Sequence, residues 1–149
     1  MASSLVWNDL ELIERLGEGQ AGAVWKARLR RAFRGHAAGD LVAVKRYKRW
    51  VLEQPGQLER IYRELGIGTR VNHPNAVACY CLVTDPENLP TLVMRYYDGV
   101  SLEKFLSDHR TSNLLFAPDD AFTLIRGIAA GVQAIHAMGA LHRDVNPPT

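Results

Sequence analysis

The sequence predicts an α+β fold in which most of the strands precede most of the helices. Two observations predict it: five β-rich or alternating segments with one helical segment between the third and fourth, and two further helical segments near the end. The chain has 149 residues, 47% hydrophobic and 23% charged, which is ordinary for one soluble globular domain. This composition excludes a wholly disordered chain, a collagen-like chain and a small disulfide scaffold.

The first three predicted strands are separated by a glycine-rich turn and a polar loop. Residues 10–16 partly alternate between apolar and polar, and residues 23–29 alternate more regularly. Residues 17–22 break the pattern between them, which predicts a hairpin with a long turn. After the polar loop of residues 30–40, the β-rich residues 41–47 predict a third strand.

The second half of the chain is predicted to contain most of the helices. Leu58, Ile61 and Leu65 fall at helical spacing. A helix is predicted from Leu58 to just before His73, followed by strands over residues 76–83 and 91–97. A short helix over residues 102–107 follows, with Ser101 as its N-cap. A long helix then begins at Pro118 and has Gly139 as its C-cap. The long helix carries one apolar stripe, formed by Phe122, Ile125, Ala129, Val132 and Ile135 or His136.

The charge distribution is uneven although the total is small. The net charge of +2 is too small to indicate a nucleic-acid or membrane partner, and we expect neither. Residues 26–50, however, contain nine basic residues and a single acid, Asp40. We favour a solvated face of a sheet for this run. Binding of single-stranded nucleic acid, with Trp25, Phe33, Tyr47 and Trp50 stacking on bases, is the less favoured reading.

Cys79 and Cys81 are the only cysteines of the chain. On a regular strand they point to the same face, which makes an intrachain disulfide between them unfavourable. We therefore expect two reduced thiols acting as small buried hydrophobic groups. No signal peptide follows Met1, so we expect a cytoplasmic protein.

The glycine-rich turn has the pattern Gly17-x-Gly19-x-x-Gly22. Two kinds of phosphate-binding fold use this pattern. In the dinucleotide-binding fold the glycines open a helix, whereas here the alternating residues 23–29 predict a strand. This context argues against the dinucleotide-binding fold.

Further motifs follow the glycines in a fixed order. Val24 extends the pattern to G-x-G-x-x-G-x-V, and Val42-Ala43-Val44-Lys45 lies on the third predicted strand. The others are Glu64 on the first helix, His73-Pro74-Asn75 after it, the segment from Leu92 to Gly99, and His142-Arg143-Asp144. In this order, from Leu10 to about Pro147, the chain resembles the eukaryotic-type protein kinase family.

The resemblance implies a five-stranded antiparallel N-terminal lobe with one helix over residues 1–97. Residues 98–149 would then hold the exit of the hinge, two helices of the C-terminal lobe and the start of the catalytic loop. The resemblance to the kinase family also implies an ATP site. The residues that would bind the nucleotide are Leu16, Gly17, Gly19, Gly22, Val24, Ala43, Lys45, Met94, Arg95, Tyr97, Leu102 and Ser101 or Asp98.

Within that site the resemblance gives separate roles to the charged residues. Lys45 would bind the α- and β-phosphates, with Glu64 as its partner and Glu59 as the open alternative. Asp144 would accept the proton of the substrate hydroxyl. The protein would use ATP and Mg²⁺ to phosphorylate protein hydroxyls, and Pro147 agrees with the serine/threonine version of the loop.

The sequence departs from the family pattern at three positions. Asn146 replaces the lysine that stabilises the transferred phosphate, and Thr149 replaces the asparagine that binds magnesium. Gly68, one turn after Glu64, replaces a bulky apolar residue, so we expect a mobile helix. No Asp-Phe-Gly follows His142-Arg143-Asp144 in the 149 residues.

From these departures we expect a truncated kinase fragment that is inactive alone. Its magnesium ligands would be missing, and the apolar stripe of the long helix would be exposed and could dock a partner. The alternative is a pseudokinase-like module that binds nucleotide or a partner without catalysis.

Overall fold

The computed structural model describes residues 4–112 and 117–141. It contains five strands and four α-helices in this part of the chain. They are β1 (Leu10–Glu18), β2 (Gly22–Leu29), β3 (Leu41–Tyr47), α1 (Arg49–Leu52), α2 (Gln57–Gly68), β4 (Cys79–Thr84), β5 (Pro90–Arg95), α3 (Leu102–Thr111) and α4 (Pro118–His136). A 3-10 helix, Trp7–Asp9, precedes β1.

The five strands form one antiparallel sheet in the order β1-β2-β3-β5-β4. Alternate residues of each strand face opposite sides, so the sheet has a core on each face. One core contains Leu29, Val42, Val44 and Val93 and is covered by Leu5 of the N-terminal segment. The other core lies between the sheet and α2 and is formed by Tyr47, Ile61, Cys79 and Leu92.

The chain divides into two compact units. The first contains the sheet, α1 and α2, and comprises residues 1–70 and 77–97. The second comprises Val71–Ala76 and residues 98–149, including α3 and α4. Residues 71–76, between α2 and β4, therefore belong to the same unit as α3 and α4.

Strand β4 differs from the prediction in two ways. It begins at Cys79 and not at Ala76. A register shift lies between Cys79 and Cys81, which pair with Met94 and Val93. The two cysteines consequently face different cores, and the expectation that they share a face was wrong. Both thiols are free, with Cys79 buried and Cys81 half-buried.

The polar loop between β2 and β3 contains a small hairpin. Phe33 and His36 pair across it, and the two residues between them, Arg34 and Gly35, both have positive φ. This is the combination that a two-residue type I′ turn requires. Phe33 is buried in the core that contains Val42 and Val44. It therefore anchors the hairpin to the sheet.

In the second unit, the segment before β4 packs closely on α4. The Asn75 side chain donates a hydrogen bond to the Gly127 carbonyl, with a length of 3.0 Å. A β-carbon at Gly131, one turn later, would overlap the Asn75 carbonyl oxygen. The two glycines therefore form the face of α4 against which Asn75 lies. The sequence pattern of apolar residues did not point to this face.

Candidate active site

One face of the sheet carries four of the predicted site residues of the first unit. Because Val42 and Val44 face a core on one side, Ala43 and Lys45 face the other. Val24 is paired with Lys45 across β2 and β3, and Met94 is paired with Ala43 across β3 and β5. Residues directly opposite each other in an antiparallel pair share a face, so these four side chains lie together.

The glycine-rich turn joins β1 to β2 beside this face. The space around the α-carbons of Gly17 and Gly19 is open, because a β-carbon at either would meet no other group within 4 Å. At Gly22, in contrast, a β-carbon would overlap the Arg46 carbonyl oxygen of β3. The third glycine is therefore required for close strand pairing, whereas the first two leave room for a ligand. Leu16 lies at a register shift of β1 and is exposed.

Contacts from the end of β3 hold the turn in place. The Lys48 amide donates to the Ala21 carbonyl over 3.0 Å. The Lys48 ammonium lies 3.2 Å from Glu18 Oε1, and Arg15 lies 2.8 Å from the other oxygen of Glu18. The turn is thus linked to β3 by one backbone contact and one ion pair.

Lys45 and Glu64 form an ion pair between β3 and α2. Lys45 Nζ lies 3.2 Å from Glu64 Oε1. The side chains are 26% and 43% exposed, so the pair is partly accessible to solvent. Glu59 lies in the exposed first turn of α2 and makes no such contact. The pairing of Lys45 is therefore with Glu64.

Two residues that the sequence reading did not assign to the site also surround Glu64. Tyr47 is buried, and its hydroxyl donates to Glu64 Oε2 over 3.3 Å. Burial, and then the Glu64 charge, raise the pKa of Tyr47 above its usual range. The same two causes raise the pKa of the Cys79 thiol to about 11. Both groups are consequently neutral beside the charged pair.

Two of the residues predicted to bind the nucleotide, Arg95 and Tyr97, lie at the end of β5 and just after it. Arg95 is the last residue of that strand, and its amide donates to the Ala78 carbonyl over 2.9 Å. Tyr96 and Tyr97 come next. Lys26 Nζ lies 5.1 Å from the centre of the Tyr96 ring and 3.4 Å from Glu14 on β1. A lysine of β2, itself paired with Glu14 of β1, thus contacts the start of this segment.

Comparison with known proteins identifies the family. The family model described as protein kinase domain matches residues 10–148 of the chain. The chain belongs to the protein kinase family. The resemblance and the kinase-like α+β fold predicted from the sequence are both confirmed.

Two curated serine/threonine-protein kinases are among the proteins similar to the chain. PkaA of Streptomyces coelicolor is 36% identical over 141 residues, which cover 91% of this chain and 25% of PkaA. The kinase ppk35 of Schizosaccharomyces pombe is 32% identical over 137 residues, which cover 92% of this chain and 20% of ppk35. The chain therefore spans about a quarter or less of the length of these relatives.

A solved kinase domain has the same fold. The crystal structure of the PknI kinase domain of Mycobacterium tuberculosis superposes with a TM-score of 0.75 at 20% identity. The match covers 99% of this chain and 56% of the PknI chain. The chain thus corresponds to part of a kinase domain.

Several kinase residues named from the sequence lie outside the described residues. These are His142, Arg143, Asp144, Asn146, Pro147 and Thr149. In the second unit, the Ser101 hydroxyl accepts a hydrogen bond from the Lys104 amide over 3.2 Å, which confirms Ser101 as the N-cap of α3. Along α4, Phe122 and Ile125 are each 62% exposed within the described residues.

The basic run of the kinase sheet is largely compensated by acids from elsewhere in the first unit. Six of its nine basic residues form ion pairs with carboxylates, namely Lys26, Arg31, Lys45, Arg46, Lys48 and Arg49. Their partners come from β1, α2, the N-terminal segment and the turn between β4 and β5. The run is consequently not a continuous surface of unpaired positive charge.

Residues 4–112 and 117–141 contain no cluster of three or more histidine, cysteine or acidic side chains arranged to bind a metal ion. Thr149, at the position that the resemblance assigns to magnesium, is not among them. No helix in these ranges has both the length and the apolar character needed to span a bilayer.

Proposed function

We propose that this chain is the nucleotide-binding part of a serine/threonine protein kinase. It binds ATP on the face of the sheet that carries Val24, Ala43 and Lys45. The complete protein transfers the terminal phosphoryl group of ATP to hydroxyl groups of protein substrates. Family membership supports the reaction class, and the geometry of the first unit supports the location of the nucleotide.

The observation that carries the proposal is the ion pair between Lys45 and Glu64. An ammonium group on a central strand is costly to bury without a partner, and Glu64 supplies that partner at 3.2 Å. Because both side chains are partly exposed, the Lys45 ammonium can contact the phosphates while it keeps its contact with Glu64. Phosphoryl transfer depends mainly on such positioning and on charge stabilisation.

The glycine-rich turn supports the phosphates in the same proposal. The space around Gly17 and Gly19 lets backbone N–H groups approach an anion without interference from side chains. Val24 and Ala43 supply the apolar surface against which the adenine packs. Met94 lies beside Ala43, and the Arg95 carbonyl and Tyr97 amide are the groups we assign to the adenine edge.

Transfer itself would depend on residues after α4. We assign to Asp144 the role of accepting the proton from the substrate hydroxyl. Magnesium accompanies ATP in this family and supplies charge neutralisation. Asn146 and Thr149 replace the usual lysine and asparagine of the family loop. We therefore expect the 149 residues alone to bind ATP but to transfer its phosphoryl group poorly.

Titration calorimetry with ATP tests the proposal on the 149-residue chain. Lys45→Ala removes a charged hydrogen-bond donor to the phosphates, and we expect about a 10- to 100-fold weaker Kd. Lys104→Ala is the matched control, since its side chain is 62% exposed on α3 and pairs with Asp108 one turn later. Equal ATP affinity in the wild type and Lys45→Ala would contradict the assignment.

A further inference from the structure

We propose that Tyr47 is a positioning residue that holds Glu64 in place for its contact with Lys45. This inference rests on the proposed ATP site and adds to it a residue that the sequence reading did not place there. The hydroxyl of Tyr47 fixes the carboxylate oxygen that Lys45 does not contact. Tyr47 thereby acts on the nucleotide through Glu64 and does not touch it.

The spacing along β3 makes the arrangement possible. Lys45 and Tyr47 are two residues apart on one strand, so their side chains project from the same face. Lys45 Nζ contacts Glu64 Oε1 at 3.2 Å, and the Tyr47 hydroxyl contacts Oε2 at 3.3 Å. The two oxygens of one carboxylate on α2 are thus held from a single strand. The tyrosine contact is long for an O–H···O hydrogen bond, so we expect a moderate effect.

Burial makes Tyr47 the rigid member of the group. It is only 6% exposed and packs in the core with Ile61, Cys79 and Leu92. Its ring also lies 5.1 Å below Lys45 Nζ, within the range of a cation–π contact. The partly exposed Lys45 and Glu64 side chains are therefore both in contact with one buried aromatic side chain.

The nearby charges favour a neutral tyrosine that donates to Glu64. Besides Lys45 and Glu64, the groups that act electrostatically on Tyr47 are the Cys79 thiol and the Arg60 guanidinium. Burial and the negative carboxylate disfavour a phenolate there, so the hydroxyl keeps its proton. A group of this kind can hold a carboxylate without competing with Lys45 for a ligand phosphate.

The contact adds a polar interaction to the packing of α2 against the sheet. Gly68 lies one turn after Glu64 and provides no side chain to pack against the sheet. Near the end of the helix, α2 is placed by a close approach of its backbone to Cys79. Tyr47 contributes a second, polar contact at the turn that carries Glu64.

A double-mutant cycle on ATP affinity tests the inference. The four proteins are the wild-type chain, Tyr47→Phe, Glu64→Ala and the double variant, with ATP and excess magnesium chloride as the probe. Tyr47→Phe removes only the hydroxyl, and we expect about a three- to tenfold weaker Kd. In the Glu64→Ala background the same change should have no effect on the Kd, because the acceptor is absent.

Two controls separate the inference from a general loss of structure. Tyr62→Phe removes the hydroxyl of an exposed tyrosine on α2, the helix that carries Glu64, and should leave the Kd unchanged. Thermal unfolding of each variant establishes that it is folded at the titration temperature. A merely structural role for Tyr47 would weaken binding equally in both backgrounds and would overturn the inference.

The outcomes also distinguish this inference from the proposed function. If Lys45→Ala weakens ATP binding and Tyr47→Phe does not, the ATP site stands and the role of Tyr47 is wrong. If neither change alters ATP binding, the proposed function itself fails. Support requires a weaker Kd for Tyr47→Phe that disappears when Glu64 is absent.

Discussion

Gly68 of α2 and Cys79 of β4 approach each other so closely that no side chain fits between them. A β-carbon at Gly68 would overlap the Cys79 sulfur and lie 2.6 Å from the Cys79 β-carbon. Both residues are buried. The family usually has a bulky apolar residue at the position of Gly68, whereas here Cys79 fills the space from the strand side. The glycine is therefore a packing requirement of this helix.

We predict that Gly68→Ala destabilises the chain although alanine is the better helix former. The added methyl group must displace Cys79 or move α2, which should lower the free energy of unfolding by about 1–3 kcal/mol. Gly66→Ala is the control on the same helix, because nothing lies within 4 Å of its β-carbon position. It should stabilise the chain by about 0.5–1 kcal/mol. Urea unfolding measures both, and equal effects would contradict the packing described here.

Asp85 connects strand β3 to the turn between β4 and β5. One oxygen of its buried carboxylate accepts from Arg46 at 2.8 Å, and the other accepts from the amides of Glu87 and Leu89. Burial alone would raise the pKa of Asp85, but these hydrogen bonds outweigh it and lower the pKa. The ionised carboxylate therefore stabilises the fold above the ordinary pKa range of aspartate, and this contribution is lost as the pH falls through the lowered pKa.

We predict that Asp85→Asn lowers the free energy of unfolding by about 2–3 kcal/mol near neutral pH, because a charged acceptor of three donors is lost. The difference from the wild type should shrink as the pH is lowered. Glu87→Gln is the control, since Glu87 contacts the same arginine at 3.4 Å but is 61% exposed. Its effect should be below about 0.5 kcal/mol. A difference for Asp85→Asn that stays constant with pH would exclude the ionised carboxylate as its source.

In the second unit, we predict opposite tolerance of alanine at two glycines of α4. Gly131→Ala brings a methyl group onto the Asn75 carbonyl and should destabilise by about 1–3 kcal/mol. Gly127→Ala meets Asn75 Nδ2 at an ordinary 3.6 Å and should be neutral or stabilising. Thermal unfolding compares the two. A more damaging Gly127→Ala would show that Asn75 does not lie where the structure has it.

The sequence was sufficient for the features that depend on local patterns. The bounds of β3 were predicted as observed, because seven consecutive β-rich residues are flanked by polar segments. The order of the motifs identified the family and selected Glu64 as the partner of Lys45. Both inferences depend on spacing along the chain, which the sequence states directly.

Features that depend on contacts between distant segments were not predictable in this way. The register shift that separates Cys79 from Cys81 arises in the pairing of β4 with β5 and leaves no local pattern. Gly22 and Gly68 must lack a side chain because residues of neighbouring strands, Arg46 and Cys79, approach their backbones closely. In the sequence, the positive charge of residues 26–50 is balanced by a single acid within the run. Most of the carboxylates that pair with these basic residues come from other segments of the chain.

In the proposed function, ATP lies on the face of the sheet beside the glycine-rich turn. The backbone amide chemical shifts of the 149-residue chain, followed by NMR during titration with ATP, test this location. We predict that the amides of Gly17 and Gly19 and the region around Lys45 shift together with one Kd. Saturation with ATP that left these amides unchanged, or shifted only those of α3 and α4, would contradict the claim.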